Sequence, residues 1–141
     1  MTTPKHHLLS AGALLAAAIA IAAFAMSASA ASPLKITNCN KTASKPKTLT
    51  LTCGDANTYL KGLTWSSFGG ATAAAKGTFV IDLCEPNCAA GKNASYPVSV
   101  TATKSKKCKS TSVYTKLALT FTARKPKSAD RLTKWELGCP T

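Results

Sequence analysis

The chain has 141 residues, with 18 Lys and Arg against 5 Asp and Glu, and a formal net charge of +13. Its two histidines are His6 and His7, so beyond the first ten residues no imidazole is present to serve Ser-His-Asp or Cys-His catalysis or a His-based zinc site. The five carboxylates, Asp55, Asp82, Glu85, Asp130 and Glu136, belong by default on solvated surface or at turn caps.

Residues 1–30 read as a signal peptide. Lys5 stands in a short polar start, an apolar run covers Leu8 to Met26, and Ala28-Ser29-Ala30 has the small-x-small form of a signal-peptidase site. Cleavage after Ala30 removes 30 of the 141 residues and leaves a secreted domain of 111, residues 31–141. Losing Lys5 takes the net charge from +13 to +12. Left uncleaved, the 19-residue run is long enough to cross a bilayer, and only then does the reading include a membrane.

Along 31–141, short alternating runs of Thr, Val, Leu and Ala lie between Gly, Pro, Asn and Lys, the pattern of an antiparallel all-β domain. In chain order the expected strands are 34–39, 48–53, 60–65, 77–84, 96–103, 113–123 and 132–138. "ATAAA" (71–75) is expected to form one helical turn. About seven strands suit a small two-sheet β-sandwich, immunoglobulin-like in style. Within 113–123, Leu117, Leu119, Phe121 and Ala123 fall on one face; Val98, Val100 and Ala102 do the same in 96–103.

Six cysteines, Cys39, Cys53, Cys84, Cys88, Cys108 and Cys139, read as a disulfide framework with fifteen connectivities open. Cys84 and Cys88 have three residues between them, not the two of a thioredoxin-type site, and no helix follows. In an extended strand they would stand about 13 Å apart, beyond the roughly 4.4–6.8 Å that a disulfide spans. The chain must turn, and Glu85-Pro86-Asn87-Cys88 is a turn by composition, with Pro86 at its first corner. The pair is therefore a local staple and not a metal or redox centre. If the last three strands form a meander, Cys139 returns to the connection that holds Cys108. Cys39 is left with Cys53 by elimination, which requires "NKTASKPK" (40–47) to fold back. A Cys53–Trp65–Cys108 core of immunoglobulin type is rejected, because "KSKKCKS" (104–110) reads as a solvated loop and no Tyr stands two before Cys108.

"CGDANTYLKGLTWSSFGGATAAAKGTF" (53–79) followed by "CEPNCAAGKNASYPV" (84–98) resembles small exported proteins of actinobacteria with a CxDxN-like start, a WSSW-like stretch, a GT strand and a C-x-P-x-C-A-x-G loop. Phe68 stands where their second Trp is usual. That family has no established activity, so the resemblance implies export and fold style only.

Trp65, Phe68, Phe79, Tyr96, Phe121 and Trp135 are expected in the core and not on a stacking platform. The cations cluster at Lys41, Lys45 and Lys47; at Lys104, Lys106, Lys107 and Lys109; and at Arg124, Lys125 and Lys127. The second and third clusters flank strand 113–123 and are expected roughly 30 Å apart, which argues against one compact phosphate pocket. Such a charge favours polyanions, and Lys104, Lys106, Lys107 and Lys109 form the densest candidate site. The leading expectation is an exported, non-enzymatic basic domain, extracellular or wall-associated, that binds anionic cell-wall polymer or another polyanion. Alternatives are a protein-binding or inhibitor module using the rigid 84–92 loop, and a carboxylate-only hydrolase with two acids facing each other across a sugar. No cofactor, metal or catalytic residue is expected.

Overall fold

A computed structural model describes residues 32–141; the signal peptide expected over 1–30 lies outside the described residues. Within them no helix is long and apolar enough to cross a membrane. The elements are β1 (Ile36–Asn38), β2 (Lys41–Ala43), β3 (Thr48–Thr50), β4 (Thr58–Ser67), β5 (Ala73–Asp82), β6 (Asn93–Cys108), β7 (Thr111–Phe121), one helical turn α1 (Ala129–Leu132) and β8 (Lys134–Glu136). Strands β3 to β8 form a six-stranded antiparallel sheet whose spatial order is the chain order, and β1 with β2 form a separate ribbon. The sheet curls. Lys35 bridges Val113 of β7 in parallel just before β1 begins, and the Asn38 side chain at the end of β1 holds β3 by accepting the Thr50 N–H (3.0 Å) and donating to the Thr48 carbonyl (3.2 Å). The ribbon thus links the two sides of the sheet, and the whole is a small, disulfide-stapled, sandwich-like all-β domain.

The period of two in the sequence builds its core. Ala73, Ala75 and Phe79 of β5, Val98, Val100 and Ala102 of β6, and Leu117 and Leu119 of β7 face inward with Ile36, Leu49, Leu60, Leu63 and Tyr114. All are buried, which is where most of the stabilising free energy of such a fold arises. Two glycines shape this layer. Gly62, at φ +62°, takes the left-handed conformation at a register shift between Lys61 and Thr64. The shift sends Leu63 inward over Gly77, where an added Cβ would lie 2.8 Å from Leu63 Cδ2. The six aromatics expected in the core are all buried or half-buried, and edge-to-face contacts run from Trp65 to Phe68 to Tyr114 and from Phe79 to Phe121 to Tyr96.

Four expectations are corrected. "ATAAA" is not a helical turn: β5 begins at Ala73, and Ala73, Ala74 and Ala75 pair with Ala102, Thr101 and Val100. Helix propensity is a weak preference that pairing with a long neighbouring strand overrides, and small side chains suit the crowded inner face. There are eight strands and not seven, because 40–47 folds back as β2. The segment "KSKKC" is no loop: β6 runs through it to Cys108, with Ser105, Lys106, Lys107 and Cys108 paired to Tyr114, Val113, Ser112 and Thr111. Only Lys109 and Ser110 connect the strands, and Lys109 has φ +54°. The chain does reverse between Cys84 and Cys88, but 85–88 is not a single four-residue turn. Bends at Glu85 and Pro86 lead to a turn over 88–90, where the Asn87 side chain accepts the Ala90 N–H at 2.9 Å.

Candidate functional site

The densest cationic segment is the far end of the β6–β7 hairpin. Lys104, Lys106 and Lys107 stand on β6, Lys109 stands in the connection, and all four side chains are exposed. Lys104 also has φ +54°, a kink in the strand. Two interactions hold this hairpin. Cys108 is bonded to Cys139, which ties its tip to the chain beyond β8. Tyr114, fully buried, accepts the Gly69 N–H (2.9 Å) and donates to the Gly70 carbonyl (2.7 Å), joining β7 to the β4–β5 connection. The four ammonium groups are therefore carried by a pinned hairpin end, in which Lys106 and Lys107 are paired to Val113 and Ser112.

A meander places its connections alternately at two ends, and the charges divide with them. The connections after β3, β5 and β7 hold Asp55, Glu85 and Asp130, with Asp82 closing β5. The same end carries Lys92, Arg124, Lys125, Lys127 and Arg131, so both signs mix there. The opposite end has the hairpin tip, the uncharged 68–72 connection and, leading into β3, Lys45 and Lys47. Lys35 lies beside Ser112–Tyr114 at that end too. No carboxylate stands in those segments. Lys45 and Lys47 are better anchored than their loop composition suggests, since Trp65 Nε1 donates to the Pro46 carbonyl at 2.8 Å and the Leu63 N–H to that of Lys47 at 3.0 Å. The Arg124–Lys127 cluster follows β7 at the far end, as expected; its Arg124 guanidinium lies 6.0 Å from the Tyr96 ring centroid.

Three of the five carboxylates have local structural roles. Asp55 accepts the Asn57 N–H, and this bond, with help from the Thr52 hydroxyl, holds its carboxyl below the ordinary aspartate range. Asp82 accepts the Cys84 N–H at 2.8 Å. Glu136 forms a salt bridge with Lys116, the one ion pair among the described residues. No group of three His, Cys, Asp or Glu side chains is placed to hold a metal ion among the described residues.

All three disulfides pair as the sequence favours: Cys39–Cys53, Cys84–Cys88 and Cys108–Cys139. The Cα atoms of Cys84 and Cys88 are 3.8 Å apart, so the chain reverses completely between them. Leu83, at the base of this loop, is the one large apolar side chain exposed among the described residues (47%). An open groove of about 430 Å³ lies between the Cys39–Cys53 side of the ribbon and the segment 136–139. Thr37 is in its wall, and the Thr37 hydroxyl is buried with no hydrogen-bond partner.

Fold and surface together define a class, a disulfide-stapled all-β domain with a lysine-rich end. The chain matches no protein-family model, no curated protein and no solved structure.

Proposed function

We propose that the chain is an exported, non-enzymatic basic domain, related to the small secreted proteins of actinobacteria, that holds anionic envelope polymer or another polyanion. One observation carries the reading: Lys104, Lys106, Lys107 and Lys109 are exposed on a pinned hairpin, at an end where the one carboxylate, Glu136 closing β8, is paired to Lys116. Like-signed charge on an ordered element attracts a polyanion at low ordering cost. Three disulfides accord with an oxidising, extracellular setting.

The test is equilibrium binding to heparin and to single-stranded DNA across a salt series. Changing all four lysines to Gln is expected to weaken binding and flatten its salt dependence. On single-stranded DNA each lost phosphate contact changes the log–log slope by about 0.7. Arg124→Gln with Lys125→Gln and Lys127→Gln is expected to matter less, because carboxylates share that end. Equal affinity and slope for parent and quadruple variant would refute the site.

A second reading rests on Leu83. Half-exposed beside a stapled turn, it suits insertion of the 84–92 loop into a cleft on a protein partner. Such a contact persists as ionic strength rises, whereas polyanion binding collapses. The export part of the proposal predicts a secreted species beginning at Ala31, lighter than its reduced form by the six hydrogens of three disulfides. An intact mass that retains Met1 to Ala30 would contradict it.

A further inference from the structure

The outward face of the sheet differs from its edges and ends. Cross-strand neighbours share a face, so the registers give its rows directly. One row is Thr64, Lys76, Ser99 and Thr120 across β4, β5, β6 and β7. The next toward the hairpin tip is Ala74, Thr101, Ala118 and Lys134, and beyond it stand Thr103, Lys116 and Glu136. On the other side, Lys61 is opposite Thr78, which is opposite Pro97. Neighbours within a row are about 4.8 Å apart, and alternate residues along a strand about 6.8 Å. Over this area the face presents hydroxyls and ammonium groups, interrupted by Ala74, Ala118 and Pro97. Its single carboxylate, Glu136, is paired to Lys116. Lys61, Thr64, Lys76, Thr120 and Lys134 are exposed. Along β6 the face leads to Thr103, and past the kink at Lys104 the strand continues into the exposed segment that holds Lys106 and Lys107. From Lys107 to Pro97 the track is about 33 Å long.

A second observation narrows the ligand. Eight aromatic side chains lie in the described residues, and none is exposed. Proteins that hold single-stranded nucleic acid by its bases stack successive bases on exposed aromatics, and the rows named above contain no aromatic residue. Serine and threonine hydroxyls, by contrast, donate to and accept from sugar hydroxyls as readily as they donate to sulfate or carboxylate.

We infer that the polyanion is an acidic polysaccharide, which runs from the hairpin tip along the hydroxyl-and-lysine face of β4 to β7. This rests on the polyanion reading above and adds its ligand class and its path. The tip supplies charge, Lys61 and Lys76 extend it, and the threonine rows supply hydroxyls that can accept from sugar hydroxyls as well as donate, whereas a phosphate chain can only accept from them.

The experiment compares size-matched heparin oligosaccharide, single-stranded DNA and polyphosphate on the disulfide-intact protein. Lys61→Gln with Lys76→Gln is expected to weaken heparin binding about tenfold at about 0.1 M salt, the scale of two lost ionic contacts. Thr64→Val with Thr120→Val leaves the charge untouched and keeps β-branched residues on the strands. It is expected to weaken heparin severalfold and polyphosphate less, because heparin loses acceptors for its hydroxyls as well as donors to its anionic groups. Thermal unfolding of each variant confirms that the fold is retained. If the parent binds none of the three, the polyanion reading itself falls. If all three bind but neither double variant changes heparin affinity, that reading stands and the path is refuted. DNA binding tighter than heparin at matched charge would refute the ligand class.

Discussion

At the scale of single residues, the side chains that hold the tip in place are Tyr114 and the cysteines, and two buried hydroxyls have opposite energetic signs. Tyr114 gives its hydroxyl two backbone partners in a fully buried site, so Tyr114→Phe leaves the Gly69 N–H and the Gly70 carbonyl without it. The expected cost is about 1–3 kcal/mol, read as a lower denaturation midpoint with an unchanged slope. Thr37 is the reverse case. Its hydroxyl has no partner although the residue is only 6% exposed, so Thr37→Val removes an uncompensated polar group at nearly constant volume. That variant is expected to unfold at higher denaturant than the parent; destabilisation would show that a bound water satisfies the hydroxyl. Neither role was legible in the sequence. Tyr114 sits in an ordinary alternating run, and its partners lie 44 and 45 residues away. Lys109, with a positive φ in a two-residue connection, lacks the Asn-Gly or Asp-Gly signature that marks such turns, which is why the end of β6 read as loop.

Among the elements, the strands whose side chains alternate were legible, because period-two patterning follows directly from one buried face. Leu117, Leu119 and Phe121 are the clearest instance. The ribbon was less so: Lys41–Ala43 shows no alternation long enough to read, and its existence followed only from the need to bring Cys39 back to Cys53. The alanines of β5 were misread for the physical reason that alanine favours helix alone but fits wherever a sheet face is crowded. The staples differ in what they hold. Cys84–Cys88 closes a separation of 4, and replacing both with Ser is expected to cost about 2 kcal/mol while leaving the sheet formed. Cys108–Cys139 closes a separation of 31, and its loss is expected to cost about 3.5 kcal/mol in the same chain-entropy model. Thermal unfolding of the two Ser pairs checks the order. A larger loss from the shorter loop would mean that the 84–92 loop braces the sheet.

For the whole molecule, the charge total was legible in the composition but its polarity was not, since the division of carboxylates between ends depends on which connection falls where. Four of the five carboxylates, Asp55, Asp82, Glu85 and Asp130, gather at one end, while Lys104, Lys106, Lys107 and Lys109 mark the other. The candidate site was thus identifiable as a dense run of lysines, whereas its pinned strand geometry and its continuity with the hydroxyl rows required the fold. The most direct measurement of this polarity is residue-by-residue amide chemical-shift mapping of the disulfide-intact protein titrated with heparin oligosaccharide at low salt. The account predicts perturbations along 97–109, at Lys61, Thr64 and Lys76 and from Lys116 to Thr120, fading as salt is raised, with segments 51–57 and 83–92 unmoved. Perturbations centred on 83–92 that persist at high salt, or none anywhere on the chain, would contradict it.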